Sequence, residues 1–578
     1  MSSLDWVVLF VTLASMIAYG LYKSRGQTGA HSYLLADRQM PWYIVLLGIM
    51  ATQASAITFL SAPGQAYTDG MRFVQYYFGL PIAMIVISVT FIPIFRRLKV
   101  YTAYEYLERR FDRKTRLLTS LLFLLSRGLS TGVSIYAPAI ILSSILGWNI
   151  YLTNIIMGGL LLVYTYTGGA KAVAHTQKLQ FLIILASMAL AGYLVVHQLP
   201  AGLDVGDALY IAGKAGKLNV ITTDFNWKDK YNIWSGIIGG FFLALSYFGT
   251  DQSQVGRYIS GKDDRESKLG LLLNGLVKIP MQFCILLIGA LVFAFYSFQQ
   301  APVYFNTAAY ENYKAQEPQS ATDEDSYYQL LSERNQDYAL RIAELRKKTP
   351  ETNSDKTGNF ADQLARQHQQ DQLDGAVYAF KSTQFQMQRH REMFSALMYG
   401  HHYTPDKNDT NYIFLYFVKN ALPVGVVGLL FAVIILASWG SISAALNSLT
   451  ASSLMDVQLL GREPLPERRE LYYGRLHTLC WGVFCICVAM FAARLGSLIE
   501  AVNILGSLFY GTILGIFLVA FYLKRIKGNT VFIAAIITEV SVISIYMMDI
   551  VSFLWLNVIG ALLVVGICAV GYLRKNEP

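Results

Sequence analysis

Apolar residues in this chain neither alternate nor recur on one helical face. They run on for the thickness of a bilayer, many times over. Segments at roughly 4–22, 42–62, 74–95, 117–146, 150–167, 179–198, 233–255, 270–298, 421–455, 476–493, 497–523, 530–548 and 551–573 predict about thirteen membrane-spanning helices. The second of them changes character midway. Leu46–Gly64 starts as an apolar span, then fills with Thr52, Gln53, Ser55, Thr58 and Ser61 where a span should be most apolar. Lipid cannot hydrogen-bond these groups, so they must face protein, water or a ligand. Small residues also let a helix unwind and free its carbonyls for a cation. A small-residue seam between two helices is the competing reading.

Three other spans are interrupted in the same way. Gly239–Tyr258 has an apolar outer half and a polar inner half. Ala437–Thr450 places Ser441, Asn447 and Ser448 along one face, and Glu500 and Asn503 lie just inside the outer end of the eleventh span.

Composition agrees with the pattern. Of 578 residues 54% are hydrophobic and 15% charged, and the mean hydropathy is +0.39, which predicts an all-α polytopic membrane protein. The first span follows no basic segment, so it reads as an uncleaved span with its N-terminus outside. Loops then assigned to the inside hold 26 Lys and Arg, and the short outside loops hold six. That asymmetry places the C-terminus in the cytoplasm. It also accounts for the formal charge of +9 without invoking nucleic acid. Thirteen spans divide into a peripheral helix, two five-helix repeats of opposite topology and two trailing helices.

The domain reading is therefore a membrane part at 1–298, an insertion at 299–411, and the rest of the membrane part at 412–578. The insertion carries 16 acidic and 12 basic residues. Two amphipathic stretches, 323–348 and 361–399, predict an extracytoplasmic helical hairpin, with Leu330, Leu331, Tyr338 and Leu345 on one side of the first. The connector Lys348–Gly358 is turn-rich. No protein partner for the hairpin can be named from the sequence.

The chemistry is sparse. Cys284, Cys480, Cys485, Cys487 and Cys568 all lie in apolar runs and suggest neither disulfides nor a zinc site. His401–His402 lacks further ligands at suitable spacing. No nucleophile–base pair and no phosphate loop is present. Polar groups at mid-membrane suit coordination and hydrogen bonding, which argues for transport over catalysis and for no organic cofactor. Arg127 lies about ten residues into its span, where a charge costs roughly 2.5–3.5 kcal/mol. Its planar fork suits a carboxylate, so it either recognises an anionic solute or pairs with Glu105 or Asp251. Lys278 lies about as deep in its own span and either touches the solute, pairs with an acid or snorkels.

Gly249-Thr-Asp-Gln-Ser-Gln-Val-Gly-Arg-Tyr-Ile259 resembles the signature of the sodium:solute symporter family. Ser134–Ala139, Thr165–Val173, Tyr104–Phe111 and Leu446–Leu449 resemble its other motifs, in order, across nearly all of the membrane part. The resemblance is nearest the iodide, monocarboxylate and multivitamin branch. It implies a LeuT-type 5+5 inverted repeat that works by alternating access. It also implies a sodium site formed by carbonyls of Ala51, Ala54 and Ala437 with side chains at Gly440 and Ser441. Glycine at 440 removes one hydroxyl, which water, Ser438 or Ser443 would have to replace. A second sodium site of the family needs an aspartate where this chain reads His175-Thr-Gln177, and Ala444 replaces a hydroxyl there. The expectation is at most one Na⁺ per cycle. Thr58, Tyr77, Tyr247, Phe248, Lys278 and Asn503 fall at positions the resemblance assigns to the solute, with Tyr247 as an inner gate, and Gln75 is expected to reach the site from the second core helix.

The leading function is thus a Na⁺-coupled symporter of a small polar solute in the cell membrane. A proton-coupled or uncoupled carrier is the alternative, and a transporter-like sensor or scaffold a further one.

Overall fold

The computed structural model describes residues 1–24, 40–53, 55–98, 102–348, 360–460 and 466–573. The basic loop at 25–39, Ala54, residues 99–101, the connector at 349–359, the loop at 461–465 and the end at 574–578 lie outside the described residues. Helix α1 (Ser3–Ser24) leads. Helices α2 (Trp42–Gln53) and α3 (Ala56–Asp69) share one pass. A 3-10 turn at Gly70–Tyr77 with α4 (Leu80–Val89) and α5 (Phe91–Leu98) forms the next. The short α6 (Ala103–Arg110) precedes α7 (Arg113–Leu146), which starts on Asp112, whose carboxylate accepts the Thr115 N–H at 2.8 Å.

Residues Ile150–His197 form α8, followed by the short α9 (Val205–Lys214). A π turn at Ser235–Gly239 leads into α10 (Gly240–Thr250), then α11 (Gln252–Ile259) and α12 (Asp264–Phe298). The insertion holds α13 (Thr307–Gln316), α14 (Pro318–Lys348) and α15 (Phe360–Gly400). After it come α16 (Ile413–Ala421), α17 (Val426–Leu460), α18 (Glu467–Ala489), α19 (Leu498–Tyr522), α20 (Gly528–Met547) and α21 (Phe553–Leu573).

Ten described stretches are long and apolar enough to cross a membrane, and Trp42–Gln53, Ile150–Tyr166 and Ser235–Thr250 are shorter apolar helices. Two faces can be followed through the hydrogen bonds. One, the basic face, joins Met40 to Ser260 and Lys262, Arg96 to Gly261 and Arg110 to Leu523. The other, the hairpin face, joins Met71 to Lys217, Gln299 to Gln198, and Lys407 to Ala493. The first core helix of the first repeat (α2/α3) runs from the basic face to the hairpin face. Its counterpart (α10/α11) runs the other way, from Asn232 to Gly261. This is an inverted repeat.

Helix α8 departs from the expected pair of separate spans. Its residues are helical throughout, yet Asn154 Nδ2 donates to the Ala489 carbonyl and Gln299 Nε2 to the Gln198 carbonyl. Both ends therefore lie on the hairpin face, and the chain turns back within the helix near the basic face. A straight helix of 48 residues would be about 72 Å long, twice what a bilayer holds. The two passes exist, and a helical bend joins them.

The long α17 runs through the centre of the bundle and is buried over most of its length. The insertion forms its own small core, in which Ala339, Ile342 and Ala343 meet Leu373, Val377 and Phe380 against Ile211 and Phe298. Leu331 is buried in the main core but Leu330 is exposed, since adjacent helical residues point about 100° apart. The return segment rests on α3: a Cβ at Gly64 would lie 2.1 Å from the Thr410 carbonyl oxygen, so only glycine admits this approach. Arg391 of α15 holds Asp409 through both oxygens, at 2.9 and 2.8 Å, with its guanidinium 4.6 Å from the Phe305 ring centre. Asp406 accepts hydrogen bonds from Tyr136 at 2.7 Å and Tyr412 at 2.8 Å.

Candidate functional site

The first helix of each repeat is interrupted at mid-depth. Between α2 and α3, Ser55 is extended (φ −83°, ψ 170°). The last carbonyls of α2 thereby lose the next turn that would have donated to them. Thr58 Oγ1 donates to the Gln53 carbonyl at 3.0 Å, and Thr52 Oγ1 to Gly48 at 2.7 Å. Between α10 and α11, Asp251 is extended and caps the second piece through the N–H and hydroxyl of Ser253, at 2.8 and 2.6 Å. Tyr104, from a separate motif, donates to the Thr250 carbonyl at 2.9 Å and fixes this break to α6.

A cavity of about 150 Å³ lies between the two breaks. Thr58, Tyr77, Arg127, Tyr247, Phe248, Lys278 and Asn503 line it, together with Ser441 of the expected ion site. Their preparation differs. Asn503 is engaged twice, accepting from Tyr76 OH at 3.1 Å and donating to the Ile499 carbonyl at 2.8 Å. Tyr247 OH accepts from Gln254 Nε2 at 2.7 Å, which holds its ring over the break.

Neither cation is saturated: Arg127 meets Asp251 and the Tyr247 hydroxyl, and Lys278 meets no oxygen among the described residues. Arg127 Nη1 lies 3.9 Å from Asp251 Oδ2, an oxygen that already accepts from Tyr510 OH at 2.9 Å. Arg127 Nε is buried without a partner. Its guanidinium carbon lies 5.8 Å from the Tyr247 ring centre. Lys278 is buried, and its one recorded contact among the described residues is the Tyr77 ring, 5.5 Å from Nζ. A buried ammonium with no oxygen partner is costly unless a ligand supplies one.

Of the two partners proposed for Arg127, Asp251 is the one within reach. Glu105 instead accepts the Thr102 N–H at 3.1 Å and caps α6. Gln75 is corrected as well. It is fully buried away from the cavity, with Nε2 on the Tyr231 carbonyl at 2.9 Å and Oε1 on the Thr222 N–H at 3.0 Å. Both ends of its amide fasten the 220s loop, so none is left for a solute.

For the ion positions, Ala51 is buried at the end of α2, and Ala54 lies outside the described residues. Across from them, the Ala437 carbonyl accepts from Ser441 Oγ at 3.0 Å, and the Gly440 carbonyl from Gln177 Nε2 at 2.8 Å. Ser438 donates to Ile434 at 3.2 Å, and Ser443 pairs with Thr165 at 2.7 Å. Those two hydroxyls are engaged elsewhere and do not stand in at 440. Gln177 points at Gly440 rather than into a separate site. The side chains of His175 and Thr176 lie outside the described residues.

Sequence reasoning missed Ser130, Thr131 and Ser134, which line the cavity with Arg127. Their spacing of three, four and seven residues from Arg127 puts them on its helical face, a signal that was available. Tyr76 and Tyr510 also line it, with no signal beyond their aromaticity.

The sequence profile of the Sodium:solute symporter family matches residues 33–321 and 390–538. The human sodium/iodide cotransporter is 30% identical over 293 residues, 50% of this chain and 45% of that protein. The Xenopus laevis sodium-coupled monocarboxylate transporter 1 is 31% identical over 295 residues, 50% of this chain and 47% of that one. In both matches the chain spans about half the length of the relative. The sodium/sialic acid symporter NanT of Aliivibrio fischeri is 24% identical over 578 residues, 99% of this chain and 92% of NanT. A solved Na⁺-coupled sialic acid symporter, substrate-bound and outward-open, superposes with a TM-score of 0.72 at 21% identity, over 99% of this chain and 98% of that one. At that identity the likeness is one of fold, and the fold is the LeuT-type inverted repeat.

Proposed function

The chain belongs to the sodium:solute symporter family, and on that premise we propose that it carries a small organic anion together with Na⁺ by alternating access. It is a carrier and not an enzyme. The observation that carries the proposal is the pair of buried cations, Arg127 and Lys278, facing one cavity with a single, already shared carboxylate beside them. One negative charge on the solute would complete both, and the Ser130, Thr131, Thr58 and Asn503 side chains suit hydroxyls around it. The named solutes of several relatives are anions: iodide, monocarboxylates and sialic acid.

The ion is held where α2 unwinds against Ala437, Gly440 and Ser441. Ser441 belongs both to this nest and to the solute cavity, so occupancy of one stabilises the geometry of the other. One Na⁺ per cycle is the stoichiometry this nest supports, since Gln177 is uncharged. One Na⁺ moving with one monoanion carries no net charge, so the Na⁺ concentration gradient rather than the membrane potential drives the cycle. The bias of Lys and Arg toward the basic face puts that face in the cytoplasm, with the hairpin outside and the N-terminus with it. The weakened oxygen set at Gly440 favours a second reading, a proton-coupled carrier of the same fold.

The test is uptake and counterflow by the purified chain in proteoliposomes, with labelled pyruvate, sialic acid and glucose, in Na⁺ or choline. An acid that accumulates under an inward Na⁺ gradient, with glucose excluded, is the expected result. Uptake indifferent to Na⁺, or a preference for the neutral sugar, would overturn it.

A further inference from the structure

Glycine at 440 leaves the ion nest one side-chain oxygen short, and the two serines nearest in sequence are occupied. The space beside Gly440 is nonetheless filled. A Cβ built on Gly440 would lie 2.5 Å from Gln180 Oε1 and 3.3 Å from Gln177 Cγ. The Gln180 amide oxygen thus stands roughly where a serine hydroxyl at 440 would be. Gln180 is 4% exposed and makes no hydrogen bond to any described residue. Gln177, three residues earlier on the same helical face, donates to the Gly440 carbonyl and keeps its own Oε1 buried with no partner.

A buried amide oxygen without a partner, Gln177 Oε1, next to a second amide oxygen packed against Gly440, Gln180 Oε1, amounts to an unmet demand for a positive partner beside a broken helix. Neutral amide oxygens suit a desolvated monovalent cation, which asks for oxygen ligands and no net charge.

Resting on the symporter reading above, we infer that Gln180, carried in from α8, supplies the cation-coordinating oxygen that residue 440 lacks. Gln177 pins the Gly440 backbone so that the Ala437 carbonyl and Ser441 hydroxyl keep their places. The ligand has moved from one helix to another. Glycine at 440 and glutamine at 180 are then one coupled choice, because a side chain at 440 and the amide of Gln180 compete for the same space. Helix α8 thereby becomes an ion-sensing element, since its second pass touches the nest directly.

The experiment needs no solute. The purified full chain in nanodiscs is titrated with NaCl against choline chloride at constant ionic strength, and the thermal midpoint is read. The unmodified chain is expected to be stabilised by Na⁺ in a saturable way. Gln180→Met, which keeps length without the amide, and Gln180→Ala each raise the Na⁺ concentration at half-effect on the order of tenfold. Adding Gly440→Ser to Gln180→Ala restores it to within about threefold, because the hydroxyl returns to the vacated space. Half-effect concentrations unchanged in both single variants would overturn the assignment. So would a rise that Gly440→Ser fails to reverse, since Gln180 would then be packing. An unmodified chain that Na⁺ does not stabilise beyond choline would remove the Na⁺ reading itself, and the role of Gln180 with it.

Discussion

Two buried arginines teach opposite lessons in this molecule. Arg391, in the hairpin, donates from Nη2 to both oxygens of Asp409 at 2.9 and 2.8 Å and from Nε to the Val303 carbonyl at 3.3 Å, with its guanidinium over Phe305. Arg127, in the bundle, reaches its carboxylate only at 3.9 Å, and its Nε has no partner. The first is complete without anything added, so its role is structural. The second is less fully paired and lines the cavity, which is why we propose it for the solute. Burial alone does not mark function; burial with open valence does.

The comparison can be broken from either side. The largest effect belongs to Arg391→Met, which leaves Asp409 buried and unpaired. It should destabilise the chain by about 3–5 kcal/mol, read as a lower unfolding midpoint, and adding Asp409→Leu should recover most of it. Arg127→Gln should do the reverse, with anion uptake falling about a hundredfold and the midpoint hardly moving. Arg127→Lys should fall short of full recovery, because a point charge does not replace a planar fork. Lys278→Met follows, with about a tenfold weaker apparent affinity and an unmodified Na⁺ requirement, measured as uptake against solute and against Na⁺.

The smallest effect is a pH dependence at the hairpin face. Burial raises the Asp406 carboxyl to about 6, against the hydroxyls of Tyr136, Tyr412 and Thr404, which hold it down. The folded chain therefore binds this proton more readily than the unfolded chain does between pH 3.8 and about 6. Stability rises as pH falls through 6, by about 1 kcal/mol between pH 7.5 and 5. Asp406→Asn should remove that slope, as followed by thermal midpoint against pH.

Much of this was legible in the sequence because membranes make the rules simple. Apolar run length gave the passes, and polar residues such as Thr52 and Ser55 in a greasy span marked a break that the structure places at Ser55. Arg127 and Lys278 stood out because charge at that depth is costly. What could not be read was pairing across the chain. Glu105 and Asp251 were equal candidates until folding brought one near Arg127. On sequence Gln75 is expected to reach the solute from the second core helix, yet its amide is used up by Thr222 and Tyr231, some 150 residues on. Gln180 carried no local signal, because its meaning depends on a missing side chain at 440. The sequence reads the reversal in α8 as a loop between two spans; that a helix carries it was hidden, because Gly168-Gly169 reads as a break.

The most direct test sets a small hydroxylated carboxylic acid against its primary amide, equal in shape but uncharged, as competitors for uptake in Na⁺. The unmodified chain should prefer the acid by more than about tenfold, and Arg127→Gln should treat the two alike. An amide carried as well as the acid by the unmodified chain, or an Arg127→Gln chain that still prefers the acid, would contradict the claim that the open arginine exists for an anionic solute.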